Sequence, residues 1–190
     1  MMSGMSRFHV QVVRLTRTVR PAALLLAAVL TLPVAWAQRS PPKAELVEGS
    51  VVRVTDGDSL WFQPADAQRR HLVVRLHNID APEICQEGGL QARDHLRDWV
   101  LDRPATLRVI GMDDYGRTVG VLLQGSVNLN VRMVEEGHAW STRDKHGRGP
   151  HLKEEKMARA LRRGLHASGG EPVMPKDFRR ANGPCPKDKE

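Results

Sequence analysis

The chain has 190 residues, of which 41 % are hydrophobic, 27 % charged and 4 % aromatic, with two cysteines and a formal net charge of +7. That is the length of one domain, or one domain with appendages; the balance excludes a multi-span membrane protein, a wholly disordered chain and a disulfide-dense or zinc-clustered miniprotein. Four of the 29 basic residues and none of the acids fall in the first 37 positions, so the remainder carries 25 basic against 22 acidic residues, too mild an excess to identify a nucleic-acid partner by charge alone.

Arg7, Arg14, Arg17 and Arg20 form a positive stretch, residues 22–32 form a short apolar run, Pro33 interrupts it, and Ala35-Trp36-Ala37 offers small residues at a cleavage site. That order predicts a secretory signal over 1–37, since the run is too short to cross a bilayer of roughly 30 Å. Export to the periplasm or the medium is expected. Residues 38–48 read as a flexible leader, 49–167 as the folded domain and 168–190, rich in Gly, Pro, Lys and Asp, as a flexible tail without its own core.

Within the domain, Gly49–Thr55 and Leu60–Phe62 predict two strands around an Asp56-Gly57 hairpin signal. Leu72, Val74 and Leu76 alternate with Arg75 on a third strand. A long loop, Asp80–Gly89, precedes a helix marked by Ala92, Leu96, Trp99 and Val100. Ala105–Ile110 and Thr118–Leu123 predict two more strands. Val127, Val131 and Val134 predict a short helix closed by Gly137, and Met157, Ala160, Leu161 and Leu165 form the stripe of a last helix over 152–165. Five short strands with a helix between the third and fourth predict a β-rich α+β fold. Its form would be a five-stranded OB-type Greek-key barrel with about three flanking helices.

The polar residues at the strand ends carry the chemistry. Asp56-Gly57-Asp58-Ser59 suits a tight turn, and Asp80-Ala81-Pro82-Glu83 also has the spacing of a helix capping box. Taken together, Asp58 and Asp80 could share one hard cation through oxygen ligands, and Ca²⁺ suits such a partly hydrated site. Glu83 would be free to accept a proton from a metal-activated water. Arg75 and Arg117 offer guanidinium forks that match the equatorial oxygens of a phosphodiester transition state.

Asp56-Gly57-Asp58-Ser59-Leu60, then Arg75-Leu76-His77-Asn78-Ile79-Asp80-Ala81-Pro82-Glu83, then Asp114-Tyr115-Gly116-Arg117 resemble the three signature segments of the thermonuclease, or staphylococcal nuclease-like, family. The resemblance runs from about Val51 to Ala167. It implies a calcium-dependent nuclease that hydrolyses phosphodiester bonds of DNA and RNA with little sequence specificity and leaves 3′-phosphate ends. Carried over by position, Asp58, Asp80 and the Ala81 carbonyl would ligate calcium, Glu83 would be the general base, Arg75 and Arg117 would hold the scissile phosphate, and Tyr115 would contact a neighbouring phosphate. A monomer with no stable membrane span after signal cleavage is expected. Ala81 stands where the best-studied member has Thr, and Asp114 where it has Lys. Arg143-Asp144-Lys145 stands where that member has base-stacking tyrosines.

Trp99 reads as a core residue, whereas Trp61 and Trp140 stay open as stacking platforms. The scattered histidines show no zinc spacing. Export would place Cys85 and Cys185 in an oxidising compartment, where they would pair and tie the tail beside the loop of Glu83. The alternative function is a non-catalytic OB-type nucleic-acid-binding module, and a third is an extracytoplasmic scaffold with structural calcium. Neither gives a reason for the full set of acids and arginines.

Overall fold

The computed structural model describes residues 45–186. The expected signal segment and residues 38–44 of the leader lie outside the described residues. Among the described residues, eight strands and four α-helices follow in order: β1 (Leu46–Asp56), β2 (Ser59–Pro64), β3 (Leu72–Leu76), β4 (Ile79–Asp80), α1 (Gly89–Val100), β5 (Pro104–Met112), β6 (Thr118–Gln124), β7 (Val127–Asn128), α2 (Leu129–Glu135), β8 (Trp140–Ser141), α3 (Leu152–Ala160) and α4 (Pro175–Asn182), with a single 3-10 turn at Gly164–His166 between the last two.

The sheet runs β3-β2-β1-β5-β6-β7, and β3 pairs in parallel with β6, which closes a five-stranded barrel. Around the barrel the strands come first, second, third, fifth, fourth, with α1 inserted between the third and fourth. This is the OB-type architecture expected. On β1, Val47, Val51 and Val54 face inward, a spacing longer than strict alternation because the pairing with β2 slips between Val51 and Arg53. Val74 and Leu76 of β3, Leu60 and Phe62 of β2, Leu107 of β5 and Leu122 of β6 fill the barrel. Ala92, Leu96 and Val100 of α1 pack against them with no exposed surface.

The parallel seam between β3 and β6 is held by a side chain. Asn130 of α2 is 1 % exposed; its Oδ1 accepts from Leu122 N–H at 3.0 Å and its Nδ2 donates to the carbonyls of His77 and Gly120 at 3.0 and 3.1 Å. A buried amide that satisfies three backbone groups fixes α2 on the seam.

Several elements differ from expectation. β1 begins at Leu46, inside the expected leader, because Leu46–Glu48 pair with β5. Val127 lies on β7, and Asn128 caps α2 by accepting from Val131 N–H at 3.3 Å. α3 stops at Ala160, and its expected apolar stripe faces outward, with Met157 and Leu161 about half exposed. The buried face instead holds Ala158 and Glu155, whose carboxylate accepts from Ser141 N–H at 3.0 Å and pairs with Arg143. A fourth flanking helix, α4, stands in the expected tail. Pro175 starts it, and a disulfide between Cys85 and Cys185 joins its far side to the barrel. Among the described residues no helix is long and apolar enough to cross a membrane.

Candidate active site

Three segments meet at one end of the barrel. The β1–β2 turn places Asp56 opposite Ser59, and Asp56 Oδ1 accepts from Asp58 N–H at 3.0 Å, which tightens the turn. Gly57 allows this turn to sit against Ala81 and α1, since a Cβ there would lie 2.7 Å from the Cβ atoms of both Ala81 and Ala92. Asp58 is buried, at 5 % exposure, and its Oδ2 accepts from Ala81 N–H at 2.7 Å. The turn and the 80–83 loop are therefore locked to each other through a carboxylate.

Arg75 points outward between the inward-facing Val74 and Leu76. Its guanidinium spans the two acids, with Nη1 on Asp58 Oδ1 and Nη2 on Asp80 Oδ1 at 2.9 Å. Burial lowers the Arg75 pKa, and Asp80 and Asp56 oppose that effect. Burial likewise pushes the Asp56 carboxyl up, against the pull of Arg75. Asp80 is positioned by β4, which pairs with β8 so that Asp80 lies opposite Trp140. The capping-box reading of Asp80 and Glu83 is not realised: α1 starts at Gly89, and no side chain caps it.

Glu83 sits where α1 comes closest to the loop. A Cβ on Gly89 would lie 2.0 Å from the Glu83 carbonyl oxygen, so only glycine fits there. Gln86 holds the loop by accepting from Glu83 N–H at 3.2 Å. On the opposite side, the β5–β6 turn is organised by Asp113, whose Oδ1 accepts from the N–H groups of Tyr115 and Arg117 and whose Oδ2 accepts from Arg117 Nε at 2.8 Å. Burial acts upward on Asp113, but those hydrogen bonds outweigh it and hold its carboxyl below the usual range. Tyr115 is 86 % exposed, with the Arg117 guanidinium 5.7 Å from its ring centre.

Asp56, Asp58, Arg75, Ala81, Glu83, Tyr115 and Arg117 line one pocket of about 520 Å³. Of the residues expected at the site, Asp80 alone is not on the lining; it stands behind, bonded to Arg75. Two charged lining residues, Asp56 and Arg179, lie outside the set expected from the sequence. Asp56 was taken only as a turn residue. Arg179 arrives from α4, donating to Asp80 and Glu83. Burial opposes the Arg179 charge, but these two carboxylates outweigh it and push its pKa up. The only signal for Arg179 was the pair of cysteines that predicted a tail beside this loop.

Among the described residues no three His, Cys, Asp or Glu side chains converge to hold a metal. The donors present are two hard carboxylates, Asp58 and Asp80, beside the Ala81 backbone. That set fits an oxygen-loving divalent cation that takes its other ligands from water and phosphate. It does not fit a zinc site.

The remaining aromatic candidates separate cleanly. Trp140 is 1 % exposed and packs edge-on to His166, so it offers no face to a base. Trp99 is partly buried against the core, with the Arg132 guanidinium 4.0 Å above its ring centre. Trp61 remains accessible, at 37 % exposure. Arg143, in the stretch where the resemblance finds no stacking tyrosine, is committed to Glu155.

Comparison with known proteins identifies relatives of the whole domain. Residues 73–168 match the profile of the family described as staphylococcal nuclease homologue. An uncharacterized endonuclease of Haemophilus influenzae is 33 % identical over 130 residues, covering 68 % of this chain and 71 % of the relative. An uncharacterized endonuclease of Escherichia coli O157:H7 is 35 % identical over 131 residues, covering 68 % of this chain and 82 % of the relative. A micrococcal nuclease of Shigella flexneri is 34 % identical over 157 residues, covering 77 % and 83 % respectively.

Proposed function

The chain belongs to the staphylococcal nuclease homologue family, and from that membership we propose that it is an exported, calcium-dependent nuclease that hydrolyses phosphodiester bonds of DNA and RNA with little sequence specificity. The observation that carries this reading is the convergence of Arg75 and Arg117 with Asp58 and Glu83 on one pocket, with Asp80 bonded behind it. In this reading the two arginines serve as anion clamp, Asp58 and Asp80 as metal-binding carboxylates and Glu83 as base. The N-terminal signal-like segment supports export.

Calcium held by Asp58, Asp80 and the Ala81 carbonyl would supply Lewis-acid stabilisation of the phosphate and lower the pKa of water. Arg75 neutralises the two acids while the site is free of substrate, then exchanges carboxylate partners for phosphate oxygens. Arg117 keeps its Nε on Asp113, which fixes the plane of the guanidinium and leaves its terminal nitrogens for the phosphate. Charge that accumulates on the equatorial oxygens meets two guanidinium groups already in place, so little reorganisation is needed. Glu83 accepts the proton of the attacking water at Oε2, since Oε1 is engaged by Arg179. Tyr115, exposed at the rim, contacts the next phosphate. Attack that expels the 5′ oxygen leaves a 3′-phosphate.

The test is digestion of single-stranded DNA, duplex DNA and RNA by the secreted protein with Ca²⁺ and with EGTA. Cleavage of all three that EGTA abolishes is expected. Salt-sensitive binding without cleavage under either condition would replace the nuclease with a nucleic-acid-binding module.

A further inference from the structure

We infer that Arg179, carried by α4 outside the barrel, is a positioning residue for Glu83, and that the C-terminal segment is a built part of the active site. The inference rests on the nuclease reading and adds a residue to it.

One guanidinium ties two acids. Arg179 Nη1 donates to Glu83 Oε1 at 2.6 Å and to Asp80 Oδ1 at 3.2 Å, and Nη2 donates to Asp80 Oδ2 at 3.1 Å. For the Glu83 carboxylate, Arg179 is the sole hydrogen-bonding partner among the described residues. A base on an exposed loop with no such partner would sample several rotamers. Proton transfer requires the carboxylate within hydrogen-bond reach of the attacking water, so that freedom costs rate. Holding Oε1 leaves Oε2 as the one oxygen that can serve.

Arg179 is 42 % exposed, and an isolated pair of that exposure would not hold a free tail in place. The segment is held by other means, on both sides of Arg179. Upstream, Gln86 Nε2 donates to the Val173 carbonyl at 2.6 Å. Downstream, Cys185 is bonded to Cys85. Between them, Phe178 lines a second cavity together with Gln86, Gly88 and Leu165. Cys85 and Gln86 follow Glu83 by two and three residues in the same loop. The segment that carries Arg179 is therefore fastened to the loop that carries Glu83, at both ends, by contacts that do not involve the ion pair. The entropy of ordering the arginine is met by those tethers and not by the pair.

A plug would fill the pocket. Arg179 instead forms part of its wall, beside about 520 Å³ of remaining space in which Arg75, Arg117 and Glu83 are all still exposed to a ligand. The geometry suits a support, not a stopper.

The test compares Arg179→Ala, Arg179→Lys, Arg180→Ala and the double variant Cys85→Ser/Cys185→Ser in the full chain. It measures kcat and KM on a single-stranded oligonucleotide, Ca²⁺ affinity by calorimetric titration, and Tm. Arg180 is the control: it lies on the same helix, 70 % exposed and, among the described residues, paired only with Asp177, and its variant should behave as wild type. Arg179→Ala should lower kcat about 10–100-fold at saturating Ca²⁺, the range seen when groups that orient site ligands are removed, with KM and Tm little changed. Arg179→Lys should recover part of kcat, because an ammonium reaches one of the two acids. The cysteine double variant should lose kcat too, and adding Arg179→Ala to it should cost less than in the wild type, because both act through one contact. Unchanged kcat in Arg179→Ala would reduce the contact to a surface ion pair and overturn the proposal. Raised kcat with tighter Ca²⁺ binding would make α4 a plug and overturn it as well. Wild-type protein that cleaves nothing would overturn the nuclease reading and the positioning role together, a failure distinct from active wild type with a neutral Arg179→Ala.

Discussion

Replacing Arg75 by lysine keeps the charge and removes the fork, and the site should not tolerate it. The Arg75 side chain is 21 % exposed and bridges Asp58 and Asp80, which are 6 % and 13 % exposed. A lysine ammonium reaches one of them. The carboxylate left behind loses a charge-assisted hydrogen bond, a cost of about 1.5–3 kcal/mol that should appear as lower stability in EGTA. If Asp58 and Asp80 hold Ca²⁺ as proposed, the ion would take over the neutralisation of both acids, and much of that loss should vanish when it is added. The rate should not recover. Removing one preorganised donor to a developing oxyanion costs about 3–4 kcal/mol, or roughly 10²–10³ in kcat. Urea unfolding of wild type and Arg75→Lys in EGTA and in Ca²⁺, beside single-turnover cleavage in Ca²⁺, measures both parts. A variant that cleaves within about tenfold of wild type would refute the clamp, since bidentate geometry would then be irrelevant to the transition state. A stability loss identical with and without Ca²⁺ would refute the assignment of Asp58 and Asp80 as the metal pair.

Other consequences are as direct. Glu83→Gln should retain Ca²⁺ binding and the fold while kcat falls by about 10²–10⁴, read from single-turnover cleavage, because proton transfer is lost and the metal pair is not. Asn130→Ala strips partners from Leu122 N–H and from two carbonyls at the barrel seam; chemical denaturation should show a loss of about 2–4 kcal/mol. His138 is 5 % exposed and stacked on His95 with ring centres 3.9 Å apart, and burial first, then His95, lowers its pKa from 6.5 to about 4. Its folded form resists protonation, so the unfolded chain binds the proton first. Stability should hold above about pH 6.5 and fall as the pH drops toward 4, by about 2–3 kcal/mol over the window. Urea unfolding across that range should be flatter for His138→Gln, and a parallel pH profile would show that His138 contributes nothing.

The barrel was legible because its strands alternate. Leu72, Val74 and Leu76 announce a face, and Ala92, Leu96 and Val100 announce the helix that covers it. α3 misled for a physical reason: its buried face is organised by Glu155, a charge that satisfies Ser141 N–H and Arg143, and no apolar pattern marks such a face. α4 carries little hydrophobic signal at all, with Phe178 as its main apolar side chain; it is placed by tethers to a loop some ninety residues earlier. The site divides in the same way. Asp58, Arg75, Ala81, Glu83, Tyr115 and Arg117 sit in short segments at strand ends, so their grouping follows once the barrel closes. Arg179 sits on Asp80 and Glu83 across 99 and 96 positions, a contact that no local spacing encodes. Trp140 shows the limit of residue type as a guide, since a buried strand partner of Asp80 and an exposed stacking platform have the same letter.

Whether this one pocket breaks a phosphodiester with the help of a divalent cation, as proposed, can be read in a single assay. The most direct measurement is cleavage of an end-labelled oligonucleotide by wild type, by Asp80→Asn and by Glu83→Gln, in Ca²⁺ and in EGTA, with the product ends identified. Fragments ending in 3′-phosphate are expected from wild type in Ca²⁺ alone, with severe loss in both variants. Cleavage that persists in EGTA, or that both variants retain in full, would place the chemistry elsewhere.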